Sequence, residues 1–112
     1  MTGERKNLNN NTNSMRKTPL EKDIEQKLVK AVRASGGMCP KFVSPGTNGV
    51  PDRIVLMTGG RMAFVEVKAP GRKPRPLQVF RIDQLRELGF AVYVLDSMEQ
   101  IPEILEEIRS GS

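Results

Sequence analysis

Histidine is absent from this 112-residue chain, and so is tryptophan. Without an imidazole there is no Ser-His-Asp or Cys-His nucleophile pair, no histidine general base and no His-ligated zinc. The one cysteine, Cys39, excludes an internal disulfide and a cysteine-rich zinc site. Aromatic residues make up only 4% of the chain, too few for base stacking to drive binding. No apolar run reaches the roughly 18 residues needed to cross a membrane. Residues 1–14 are polar and asparagine-rich, without the apolar segment of a secretory signal. No GxxxxGK[ST] phosphate loop or GxGxxG turn is present, so no nucleotide cofactor is expected. Together these features predict a protein of the reducing cytoplasm, with no membrane partner. The groups left for catalysis are carboxylates, lysines and a hard, oxygen-binding cation such as magnesium.

The net charge of +5 is unevenly spread. Residues 1–82 carry 16 Lys/Arg against 6 Asp/Glu, whereas residues 83–112 carry 2 against 7. This asymmetry suits a polyanion met by one surface, although a soluble basic protein with no such partner has the same arithmetic. Length and composition predict one folded domain over residues 18–112, preceded by a disordered basic, Asn-rich tail over residues 1–17.

Thr18-Pro19-Leu20-Glu21 reads as a capping box with proline at the first helical position. The apolar stripe Leu20, Ile24, Leu28, Ala31 and Val32 follows, and Gly36-Gly37 stops the helix. A short edge strand is expected over residues 38–43, then a hairpin of strands near 52–57 and 62–68. A proline-rich basic loop, Ala69 to Pro76, leads into a helix from Leu77 to Leu88, closed by Gly89. The continuous apolar run Phe90 to Leu95 reads as a central strand buried on both faces. A last helix starts near Ser97 or Pro102. This order predicts an α/β fold in which helices flank a central mixed sheet.

Glu66 and Lys68 lie two apart on the second hairpin strand, so they project from the same face at a separation of roughly 6.6 Å. An isolated E-x-K is usually a surface ion pair. Asp52 raises its significance, because it opens the partner strand just after the stiff Val50-Pro51 step and can reach the same point as Glu66. Converging carboxylates repel unless a cation lies between them. Asp beside Gly and Pro also caps turns, which is the structural alternative. Glu25 falls inside the apolar arc of the first helix and wants a partner at the sheet, or else sits at the stripe's edge with its head in water. Gln78, in the first turn of the next helix, is placed to orient a water or the lysine head, or is an ordinary surface glutamine. Arg72, Lys73 and Arg75, interleaved with prolines, form a stiff cationic loop suited to phosphate contacts.

Gly49-Val50-Pro51-Asp52, then Phe64-Val65-Glu66-Val67-Lys68, then Pro76-Leu77-Gln78 resemble the virus-type replication-repair nuclease (VRR-NUC) domains. These belong to the PD-(D/E)xK restriction-endonuclease-like superfamily. The helix from Glu25 to Val32, ending at Gly36-Gly37, is similar to the first helix of that family and of archaeal Holliday-junction resolvases. The resemblance runs from about Leu20 to Leu95 and implies a restriction-endonuclease-like αβββαβ core. It implies that Asp52 and Glu66 bind metal, with the Val67 carbonyl a further ligand and Glu25 an outer or second-metal ligand. Lys68 would position or activate the attacking water, with Gln78 supporting it. The implied cofactor is Mg2+, with Mn2+ able to substitute. The implied activity is structure-selective DNA endonuclease hydrolysis, resolving Holliday junctions, by a compact stand-alone homodimer of the phage type in a bacterial or phage-infected cell.

Two other readings make different predictions. A DNA-binding module with the same fold and no catalysis would bind DNA in a salt-dependent way without needing magnesium. A hydrolase of another phosphate ester would cleave small substrates and bind DNA weakly.

Overall fold

The computed structural model describes residues 19–111. The predicted tail and Thr18 therefore lie outside the described residues. Helix α1 spans Glu21–Ala34, strands β1 and β2 span Arg53–Met57 and Arg61–Val67, and helix α2 spans Pro76–Glu87. Strand β3, Val92–Leu95, and helix α3, Ile101–Ser110, complete the order.

The first helix begins with Leu20 at its N-cap rather than Thr18. The Leu20 N–H donates to the Asp23 carboxylate at 2.8 Å, so the reciprocal cap contact comes from inside the first turn. Ile24, Leu28 and Val32 follow at helical spacing and are buried completely. Helix α2 starts one residue before its predicted position, because Pro76 needs no N–H partner there.

The sheet has the order β1-β2-β3, with β1 antiparallel and β3 parallel to β2. The predicted mixed sheet is present, but β2 is its central strand and β3 lies at the edge. The antiparallel pair turns through Thr58–Gly60, where Gly59 and Gly60 both take positive φ. The expected strand over residues 38–43 is reduced to two bridges, Met38↔Leu56 and Lys41↔Arg53. Pro40 lies between them and has no N–H, so its carbonyl accepts from Ile54 while the ladder cannot continue. The first strand of the αβββαβ pattern survives only in this broken form. It still covers the outer edge of β1.

The two faces of the sheet are unequally covered. Helices α1 and α3 bury Val55, Met57, Ala63, Val65, Val67 and Leu95 in the larger core. The opposite face has a smaller core, in which Phe64 and Val92 pack against Ile82 of α2. Strand alternation sends Val65 and Val67 into the larger core, and turns Phe64, Glu66 and Lys68 toward the α2 side. Among the described residues, no helix is long and apolar enough to cross a membrane.

Candidate active site

Asp52 immediately precedes β1, held between Pro51 and the sheet. Gly49 sets the approach of this segment, with a positive φ of 84°. A Cβ there would stand 2.8 Å from Leu77 Cγ and 2.9 Å from the Leu77 carbonyl, so only glycine fits between the loop and α2. The Asp52 carboxylate is placed against β2, its Oδ2 accepting from the Val67 N–H at 2.9 Å. Asp52 therefore lands on the Glu66-Val67-Lys68 segment, as the hairpin reading required.

Glu66 is 1% exposed. Its Oε2 accepts from Gln78 Nε2 at 2.8 Å and pairs with Lys68 Nζ at 3.3 Å. Gln78 Oε1 in turn accepts from the Arg75 N–H at 2.8 Å. Only the amide oxygen can take that backbone proton, so the amide nitrogen must face Glu66. Gln78 thus steadies Glu66 and caps α2, whereas Lys68 reaches the same carboxylate separately. Glu66 Oε1 is buried and has no hydrogen-bond partner. A buried carboxylate oxygen left this way is costly unless something else completes it.

The electrostatics point the same way. Desolvation lifts the Glu66 carboxyl from an ordinary 4.5 to about 7, and Asp52 and Glu21 add to the rise against the pull of Lys68. Asp52 is also raised, chiefly by desolvation and with a contribution from Glu25, although the Val67 N–H, Lys68 and Arg53 oppose it. Two desolvated carboxyls, one of them raised further by the charge of the other, leave room for a cation.

Glu25 does not converge on this pair as an uncommitted ligand. Its Oε2 accepts from Arg53 Nε at 2.8 Å, and Arg53 Nη1 also donates to the Cys39 carbonyl at 2.7 Å. This bond ties α1 to the bridged segment beside β1. Glu21, one turn earlier, belongs to the capping box that the sequence suggests, but the carboxylate that accepts from the N-cap N–H is that of Asp23. Glu21 lines two shallow clefts next to the centre, one shared with Asp52 and Glu25, the other with Lys68, Arg72, Lys73 and Arg75. The i, i+4 spacing of Glu21 and Glu25 could have flagged both as alternatives. Among the described residues no three acidic or cysteine side chains are drawn into a closed metal cage. The Asp52–Glu66 pair and an adjacent backbone carbonyl still suit magnesium, which usually takes one or two carboxylates and keeps several waters.

A family model, the VRR-NUC domain, matches residues 2–99. The chain belongs to the VRR-NUC domain family. The match covers the whole Asp52–Gln78 site and begins within the segment read as a tail. "Putative nuclease p44" of Acyrthosiphon pisum secondary endosymbiont phage 1 is 52% identical over 79 residues, covering 70% of this chain and 85% of that protein. A solved structure of a VRR_NUC domain shares 30% identity with a TM-score of 0.72, covering 77% of this chain and 94% of its own. The fold of this VRR-NUC domain is thus shared along with its sequence, and family membership makes the chain a nuclease.

Proposed function

We propose that this VRR-NUC domain is a metal-dependent DNA endonuclease, selective for branched DNA and acting as a homodimer. The observation that carries the metal dependence is the buried, unpartnered Oε1 of Glu66 beside Asp52. Asp52, Glu66 and the Val67 carbonyl would hold a divalent cation of the magnesium class, with Mn2+ as a substitute. Glu21 is the better-placed outer carboxylate, because Glu25 is committed to Arg53. The chemistry such a cation supplies when bound is polarisation of the phosphoryl group and a more acidic water.

The chain's own residues do the rest. Gln78 and Lys68 fix Glu66 through one oxygen and leave the other free to ligate. The half-buried Lys68 ammonium adds positive charge where negative charge develops on the phosphoryl oxygens, and it holds the attacking water in line. Arg72, Lys73 and Arg75 are exposed on the loop after β2 and contact phosphates beside the scissile bond.

Support for the homodimer comes from α2 and the turn after it. Leu77, Val79, Phe80, Leu88 and Phe90 are all exposed on the thinly covered side of the sheet. A twofold dimer built there presents two Asp52–Glu66 centres to a junction that has twofold symmetry itself.

The test is a panel of labelled substrates (four-way junction, flap, single strand and plain duplex) incubated with Mg2+, Mn2+ or EDTA. The proposal expects metal-dependent cutting, fastest on the junction. Equal rates on duplex and junction would remove the branch selectivity. Cutting unaffected by EDTA would remove the metal.

A further inference from the structure

The basic loop after β2 accounts for phosphates on only one side of the carboxylate centre. On the other side of the centre, a cleft of about 550 Å³ runs between α1 and the segment bridged to β1. Its cations are Lys22, Lys30 and Arg33 from α1, with Lys41 and Arg53 facing them. Its one carboxylate, Glu25, is already neutralised by Arg53. Lys22, Lys30, Arg33 and Lys41 are exposed, and among the described residues none of the four is held in an ion pair. A solvated helix face of mixed sign would scatter these charges. Here the i, i+4 and i+3 steps from Lys22 through Gln26 to Lys30 and Arg33 stack them along one stripe.

This cleft adjoins the catalytic centre through shared walls. Glu25 and Lys41 also line the smaller cleft that contains Asp52 and Glu21. Glu21 then borders the cleft of Lys68, Arg72, Lys73 and Arg75. These shared walls set the three clefts in series as a trough from the outer face of α1, past Asp52, to the loop after β2. Positive charge lies at both of its ends. From Lys22 to Arg33 the stripe covers roughly 16 Å of helix axis. That length matches about five base steps at roughly 3.4 Å per phosphate on one strand.

We infer that the α1 stripe with Lys41 is a second backbone-binding track, which grips a duplex DNA arm on the far side of the scissile phosphate from the Arg72–Arg75 loop. The inference rests on the nuclease reading of the Asp52–Glu66 centre. Duplex is favoured over single strand because the track offers no ring for stacking. Phe42, the one aromatic in the linking cleft, is packed against Phe64 with 5.5 Å between ring centroids. Contacts of this kind fix register and supply affinity without reading sequence.

The test uses the full chain and a labelled 30-base-pair duplex, with binding followed by anisotropy in EDTA over a series of salt concentrations. Lys30→Ala/Arg33→Ala is compared with Arg61→Ala/Arg109→Ala, which removes the same charge from outside the trough. Lys41→Ala tests the opposite wall without touching the helix. The track predicts roughly tenfold weaker binding for the α1 pair, and a log K against log salt slope shallower by about one per cation removed. Lys41→Ala should show the same slope change for its single charge. Single-turnover cutting at sub-saturating protein should slow in step with the lost affinity and recover as protein is raised, whereas a loss that persists at saturation would place these side chains at the reacting atoms and overturn the track. Equal weakening by both charge-matched pairs would reduce the effect to net charge and overturn the track. Unchanged binding in the α1 pair and in Lys41→Ala would overturn it as well, while leaving the nuclease reading intact. A wild-type chain that neither binds nor cuts DNA would overturn that reading and the track with it.

Discussion

Glu66 is the residue on which the account turns, because its burial, its one free oxygen and its raised proton affinity have a common origin. Between pH 4.5 and about 7 the folded chain keeps a proton on Glu66 that the unfolded chain has already released. Without a cation, this contribution to stability is fully present below pH 4.5 and is lost as pH rises through 7. The loss is on the order of 3 kcal/mol for Glu66, and the raised Asp52 adds in the same direction. Urea midpoints measured in EDTA from pH 5 to pH 8 should therefore fall, and Glu66→Gln should flatten the decline. Added Mg2+ should recover more stability at pH 8 than at pH 5. A wild-type midpoint independent of pH would contradict this. Glu21 and Glu25 separate by a second comparison. Glu21→Gln should lower the cutting rate with stability unchanged, whereas Glu25→Gln should cost about 1 kcal/mol by releasing Arg53. Thermal melts and single-turnover rates on both variants check the assignment, and a reversal of the two effects would return Glu25 to the metal.

At the scale of elements, the approach of the Gly49–Asp52 segment to α2 determines whether Asp52 reaches β2. Gly49→Ala forces a side chain into Leu77 and a left-handed backbone onto alanine, at a cost of about 2 kcal/mol or more. Its melting temperature should fall, and cutting should fall further than stability alone explains as Asp52 is displaced. Full activity in this variant would show that the loop has room that the packing denies. The same elements show what the sequence could and could not reveal. Period-two alternation placed Glu66 and Lys68 on one face, and the Val50-Pro51 step placed Asp52 opposite, because both are local constraints. The α1 start is not legible from sequence because Glu21 and Asp23 both offer a carboxylate for the third helical position, and the backbone N–H of Leu20 meets only the second. The edge position of β3 was hidden because a short apolar run looks alike in a central or an edge strand when helices cover it. Gln78's partner was equally out of reach. The choice between Glu66 and Lys68 depends on the hydrogen bond to the Arg75 N–H, which is set by how α2 begins.

For the whole molecule, the charge asymmetry of the sequence becomes a spatial one, with basic surfaces on both sides of an acidic centre and an apolar face on α2. If that face joins two copies, sedimentation should report a dimer at micromolar concentration. Phe80→Lys/Leu88→Lys should shift it to monomer and slow junction cutting while leaving the fold intact, since both side chains are more than half exposed. A wild-type monomer at all concentrations would remove the paired centres. The claim beneath all of these is that Asp52 and Glu66 hold a divalent cation for phosphodiester hydrolysis. The most direct measurement is single-turnover cutting of a labelled four-way junction by wild type and Asp52→Asn, with Mg2+ and with EDTA, alongside melting curves. The account predicts Mg2+-dependent cutting by wild type and a loss of about a thousandfold or more in a folded Asp52→Asn. No cutting by wild type with Mg2+, or full activity in Asp52→Asn, would contradict it and leave Asp52, Glu66 and Lys68 as a structural network.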